Sequence, residues 1–146
     1  MGDFAKEIQS TFKNEWTKAG LNIKFTANWL NQHSDKIFKP YGISNQQYNV
    51  LRILRGAKKP ITVSDIKSRM IEKSPNTTRL MDKLCDKKLI ARTRSENDRR
   101  IVYSEITGTG LNMLSEIDII IKDFESIEKI TEAEAKELNR ILDKLR

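Results

Sequence analysis

Asn76, Thr78 and Arg79 stand within four residues of one another, and Arg94, Asp98, Arg99 and Arg100 follow a little further along the chain. A carboxamide, a hydroxyl and a guanidinium can hydrogen-bond base edges, and clustered cations neutralise phosphates. Catalysis lacks its minimum parts. The single histidine, His33, and the single cysteine, Cys85, are far apart, and there is no glycine-rich phosphate loop. The same scarcity leaves no ligand set with metal-binding spacing. The chemistry on offer is recognition rather than reaction, so neither an enzyme nor a cofactor is expected.

Two elements must position these groups. Ser74 can accept a hydrogen bond from a free amide of a first helical turn, and Pro75 suits the position after it, which predicts a helix over 74–87. Thr77, Leu80, Met81 and Leu84 recur at helical spacing as its apolar face. Pro75, Thr78, Arg79 and Asp82 then point outward, with Asn76 and Lys83 flanking them. Cys85 falls just after Leu84 and reads as a packing residue, with no evident cation to activate its thiol. Residues 89–94 and 100–106 are rich in Ile, Val, Thr and Tyr, and Ser95, Glu96, Asn97, Asp98 and Arg99 separate them. This is the pattern of a hairpin with a charged tip.

The charge distribution supports a polyanionic partner. The chain has 146 residues and a net charge of +7. Residues 67–100 carry 11 basic and 5 acidic side chains, whereas 101–146 carry 6 and 10. The basic density therefore peaks on the helix and hairpin rather than over the whole surface. With one cysteine, no apolar run of membrane-spanning length and no secretory signal at MGDFAKEIQS, a cytoplasmic protein is expected.

The flanks are helical. Residues 3–39 hold Phe4, Ile8, Phe12, Trp16, Ile23, Trp29, Leu30 and Ile37 on more than one face, with Gly20 as a weak point. Ser44 with Gln47 opens a helix with Ile43, Gln47, Val50, Leu51 and Leu54 inward. Thr62 with Asp65 opens a shorter one with Val63, Ile66, Met70 and Ile71 inward. That helix and the one at Ser74, joined by a tight turn, describe a helix-turn-helix. Thr107 can cap a long helix through about Lys129, striped by Leu111, Leu114, Ile117, Ile121 and Phe124. Thr131 with Glu134 starts a last one carrying Leu138, Ile141, Leu142 and Leu145. The fold class is mainly α with a small β-hairpin wing. Its winged helix-turn-helix occupies about 44–106 of a single domain, 1–146, between dimerisation helices at about 3–39 and 107–146.

In element order, and in the segments SPNTTRLMDKL, LIARTRSENDRR and SEITGTGLNML, the chain resembles the MarR family of winged helix-turn-helix transcriptional regulators. The resemblance implies a homodimer that reads a roughly palindromic operator in double-stranded DNA, as a repressor controlled by a small molecule or by oxidation. It implies DNA contacts from Asn76, Thr77, Thr78 and Arg79, beside Ser74 and Lys83. Helical spacing alone turns Thr77 inward. It also implies that Asp98 orients Arg100 into a minor groove, while Arg94 and Arg99 suit phosphates. Where the family usually turns with glycine between recognition helix and wing, this chain has Lys88. Family members bind small aromatic effectors in a crevice, which Trp29, His33 and Tyr41 would line here; ordinary packing is the competing reading. The alternative function is a protein-interaction module whose basic face meets an acidic protein.

Overall fold

The computed structural model describes residues 2–124 and 129–146, the side chains of Asp123 and Phe124 aside. The first expectation to change is the N-terminal helix. Instead of one helix over 3–39 there is a single turn, α1 (Phe4–Glu7), and then α2 (Glu15–Phe38). Gln9 takes a left-handed conformation (φ 51°), and Asn14, in extended conformation, accepts the Thr17 amide at 2.8 Å to start α2 afresh. The break lets Phe4 fold back onto Phe12 and Phe25, with ring centroids 5.4 and 5.3 Å away. Burying such a ring is worth roughly 1.5–3 kcal/mol. Gly20 does not interrupt α2.

A 3-10 turn (Lys39–Tyr41) and left-handed Gly42 lead to α3 (Asn45–Ala57). Its start is the expected reciprocal cap, Ser44 Oγ accepting the Gln47 amide while Gln47 Oε1 accepts the Ser44 amide. Gln47 also donates from Nε2 to the Leu80 carbonyl at 3.4 Å, which ties α3 to the helix that follows the turn. Ile43, Val50, Leu51 and Leu54 are buried as expected.

Thr62 and Asp65 cap α4 (Val63–Arg69) in the same reciprocal way. Ile66 and Met70 are buried, but Ile71, expected inward, is 86% exposed. The helix ends at Arg69 and Met70 is extended (ψ 135°), so helical periodicity no longer governs the next side chain. Just before α4, Ile61–Thr62 forms a short strand, β1, too brief to show as an alternating pattern.

The remaining elements are α5 (Thr77–Asp86), β2 (Ile90–Arg94), β3 (Val102–Ile106), α6 (Gly108–Phe124) and α7 (Glu132–Lys144). The three strands form an antiparallel sheet in the order β1-β3-β2. In register, Ser104 of β3 lies between Ile61 and Arg92. Thr107 caps α6 by accepting the Gly110 amide at 3.1 Å, and Gly110 is required where it stands, since a Cβ there would meet the Leu89 carbonyl at 2.4 Å. The expected continuation of α6 to Lys129 crosses 125–128, which lie outside the described residues, as does the Phe124 side chain.

One core joins these parts. Val50, Leu51 and Leu54 of α3 meet Ile66, Met81, Leu84, Leu89, Leu114 and Ile117. The outer helices contribute little to it. α7 has no buried residue, with Leu138, Ile141 and Leu145 all exposed, and Trp16 of α2 is 85% exposed.

Candidate nucleic-acid interface

The helix over 74–87 begins two residues later than its sequence suggests. Ser74 Oγ accepts the Asn76 amide at 3.1 Å, and the Ser74 carbonyl accepts the Thr77 hydroxyl at 2.9 Å, so Ser74 closes a turn ahead of the helix. Asn76, neither helical nor extended (φ −98°, ψ 22°), is the capping residue, and its carbonyl accepts the first helical amide, from Leu80. The Asn76 carboxamide makes no capping bond. It is left available to a ligand.

Thr77 is 0% exposed, its hydroxyl spent on the Ser74 carbonyl and lying 3.7 Å from Met70 Sδ. The expectation that Thr77 contacts DNA is therefore corrected: helical spacing turns it into the core. Asn76, Thr78, Arg79 and Lys83 are exposed, and Ser74 is half-buried. For Arg79 and Lys83 there is no side-chain ion pair among the described residues.

Lys88 does the work usually left to glycine. It takes φ 58°, its amide donates to the Cys85 carbonyl at 2.8 Å, and the Leu89 amide donates to the Leu84 carbonyl at 3.0 Å. These are the two bonds of a left-handed helix terminator. The Lys88 carbonyl in turn accepts the Thr107 hydroxyl at 2.7 Å. Bonds on both sides hold the strained residue, so the point at which the chain leaves α5 for the wing is fixed.

The tip closes through the Ser95 amide on the Ile101 carbonyl and the Ile101 amide on the Asp98 carbonyl, both 2.9 Å. Asp98 Oδ1 accepts the Arg100 backbone amide at 3.0 Å and Nε at 3.2 Å, and Oδ2 accepts Nη2 at 3.4 Å. Hydrogen bonds from the Arg100 side chain and then its backbone hold the Asp98 carboxyl below the usual carboxylate range. The Arg100 side chain is nonetheless 91% exposed. It is oriented and accessible together. Arg94 and Arg99 are exposed without a side-chain partner among the described residues.

Arg92 has no place among the sequence-derived site residues, yet it is what joins the two elements. It reaches from β2 to α5, with Nη1 2.6 Å from Asp82 Oδ1 and Nη2 donating to the Thr78 carbonyl at 3.4 Å. Its charge also faces Cys85, where burial pushes the thiol pKa up and Arg92 only partly offsets that.

Neither of two cavities near them is lined by all three residues expected to form an effector crevice. His33 lines a cleft of about 840 Å³ together with Tyr48, Arg52, Arg55 and Asp118. Trp29, though 4.4 Å from the His33 ring, lines a separate cavity of about 330 Å³ beside Phe4 and Phe25, and Tyr41 packs against the core. The cleft's polar groups were missed because Arg55 and Asp118, 2.6 Å apart, are remote in sequence. Among the described residues no cluster of His, Cys, Asp or Glu suits a metal ion, and no helix is long and apolar enough to cross a membrane.

Residues 43–102, from two residues ahead of α3 to the first residue of β3, match the MarR family model. This winged stretch carries the domain of the MarR family. MarR-family proteins are transcription regulators and not enzymes. Among relatives, MgrA of Staphylococcus aureus, an HTH-type transcriptional regulator, is 29% identical over 113 residues, covering 77% of this chain and 76% of MgrA. A MarR transcription factor from Planctomyces limnophilus superposes with a TM-score of 0.71 at 29% identity, over 91% of this chain and 98% of the other. A mutant MarR of E. coli, crystallised with operator DNA, shares the fold at a TM-score of 0.79 and 24% identity, over 93% and 99% of the two chains.

Proposed function

We propose that this chain is a MarR-family DNA-binding regulator that works as a homodimer reading a roughly palindromic operator, with Asn76, Thr78 and Arg79 in a major groove and Arg100 in a minor groove. The observation that carries this is the pairing of an uncommitted Asn76–Arg79 surface with a wing tip whose arginine is oriented yet exposed. A guanidinium already held by Asp98 loses less freedom on entering a narrow groove, where the negative potential favours it. Ser74, Lys83, Arg94 and Arg99 serve the phosphates around these contacts.

Dimerisation has its own support. Trp16 on α2, Ile119 on α6, and Leu138, Ile141 and Leu145 on α7 leave apolar surface open that a monomer of this size would not keep. The segments at about 3–39 and 107–146 are the dimerisation layer around a winged region at about 44–106. Repression relieved by a small molecule fits the cleft of about 840 Å³ beside His33, with a tyrosine and arginines for an aromatic or anionic effector.

The test is a gel-shift comparison of the protein and its Arg100→Ala variant on operator fragments selected by the wild type. The reading requires a large loss of operator affinity with the dimer intact by sedimentation. Unchanged affinity would remove the wing from the mechanism.

A further inference from the structure

Arg92 belongs to the wing by sequence and to α5 by contact. Two residues from exposed Arg94 on the same strand, its side chain is only 26% exposed. Thr78 and Asp82, the groups it touches, are four residues apart and so stack along one face of α5. One guanidinium thus spans a full turn of the helix, beside the residues proposed to enter the groove.

What holds that guanidinium in place can be read from its nitrogens. Arg92 Nε is buried without a protein partner among the described residues, as is the hydroxyl of Ser104, the residue directly opposite on β3. A side chain as small as serine leaves room for the arginine stem to lie along the sheet. With Nε uncommitted, the direction of the group rests on Asp82 and on the Thr78 carbonyl. Asp82 is 53% exposed, and such a pair adds little to stability. A lone carboxylate on a surface that meets phosphates would also oppose binding, and Arg92 offsets it.

Resting on the function proposed above, we infer that Arg92 and Asp82 form a strut that fixes the wing against the recognition helix. Asn76, Thr78 and Arg79 are thereby presented at one separation from Arg100. Arg92 is a positioning residue: it acts through Asp82 and touches no DNA. The covalent junction at Lys88 sets where the wing departs, and the strut sets where it points.

Two measurements test this. The first is the ratio of operator to non-specific affinity, at one salt concentration, for Asp82→Asn, Arg92→Lys and the charge-swapped Asp82→Arg/Arg92→Asp. Each single substitution is expected to lower the ratio roughly tenfold, a size ordinary for coupled neighbours, with the salt slope and dimer unchanged. The swapped pair should recover most of it. Parallel loss of both affinities with a shallower salt slope would instead make Arg92 a phosphate contact and overturn the strut, as would an unchanged ratio in the single variants.

The second measurement needs no DNA. Nitroxide labels at Asp86→Cys and Asn97→Cys, in a Cys85→Ser background, should give a narrow distance distribution that Asp82→Asn broadens. An equally narrow distribution would overturn the strut. If the wild type selects no operator while Asp82→Asn still broadens the distribution, the proposed function fails and the strut stands.

Discussion

Asp98 holds Arg100 from two sides, accepting its backbone amide at 3.0 Å and its guanidinium at 3.2 and 3.4 Å, while leaving that side chain almost wholly in solvent. A pair this open to solvent on the arginine side contributes little to folding. Its consequence is orientation, and operator binding should register it. Arg100→Ala is expected to cost roughly 10- to 100-fold in operator affinity, the range of one lost specific arginine contact, with thermal unfolding unchanged. Asp98→Asn, which keeps the arginine but loosens it, should cost less. Gel shifts on the same fragment measure both, and an order of effects reversed between the two variants would contradict the orienting role.

The same pair predicts a pH dependence. Because Arg100 lowers the folded-state pKa of Asp98, the contribution of the charged pair is present above the ordinary carboxylate range and disappears only as pH falls through the lowered value. Operator affinity should therefore lose nothing from this pair between about pH 7 and about pH 5. Below that, wild type should converge on Asp98→Asn. Fluorescence anisotropy of both proteins across the range checks it, and convergence already near neutrality would count against the pair.

Lys88 offers a stability test. At φ 58° a lysine side chain is strained where glycine is not, although glycine gains more freedom on unfolding. Lys88→Gly is expected to stabilise the fold by up to about 1 kcal/mol in urea denaturation, since left-handed strain of 1–2 kcal/mol is only partly offset. A β-branched Lys88→Val should destabilise it. Equal midpoints for all three proteins would mean that the turn relaxes.

Cys85 should be a slow thiol. Burial raises its pKa more than the nearby Arg92 lowers it, so the unreactive protonated form dominates at neutral pH. Alkylation by iodoacetamide is expected to lag behind that of a free small thiol, and Cys85→Ser should keep operator affinity. Of the two modes of control that the family resemblance implies, a small-molecule effector is therefore favoured over oxidation. Fast alkylation, or loss of binding on mild oxidation, would reverse that preference.

What was legible in the sequence was local. The reciprocal caps at Ser44 and Gln47, Thr62 and Asp65, and Thr131 and Glu134 all form, because each needs only residues three apart. The inward turn of Thr77 followed from helical spacing, and the strain at Lys88 from its departure from glycine. What escaped depends on distant partners. The break after α1 exists because Phe4 finds Phe12 and Phe25; β1 exists only because β3 pairs with it; and Arg92 and Arg55 reach acids on other elements. Ile71 failed for a simpler reason, since a periodicity was extended past the end of its helix.

The central claim is a two-fold, sequence-specific reader of DNA, and selection of genomic fragments by the purified protein tests it most directly. The account predicts enrichment of one roughly palindromic motif whose half-sites are centred about one helical turn, near 10 base pairs, apart or a multiple of that. Retention of fragments with no common sequence would contradict it and favour the basic face as a surface for an acidic protein.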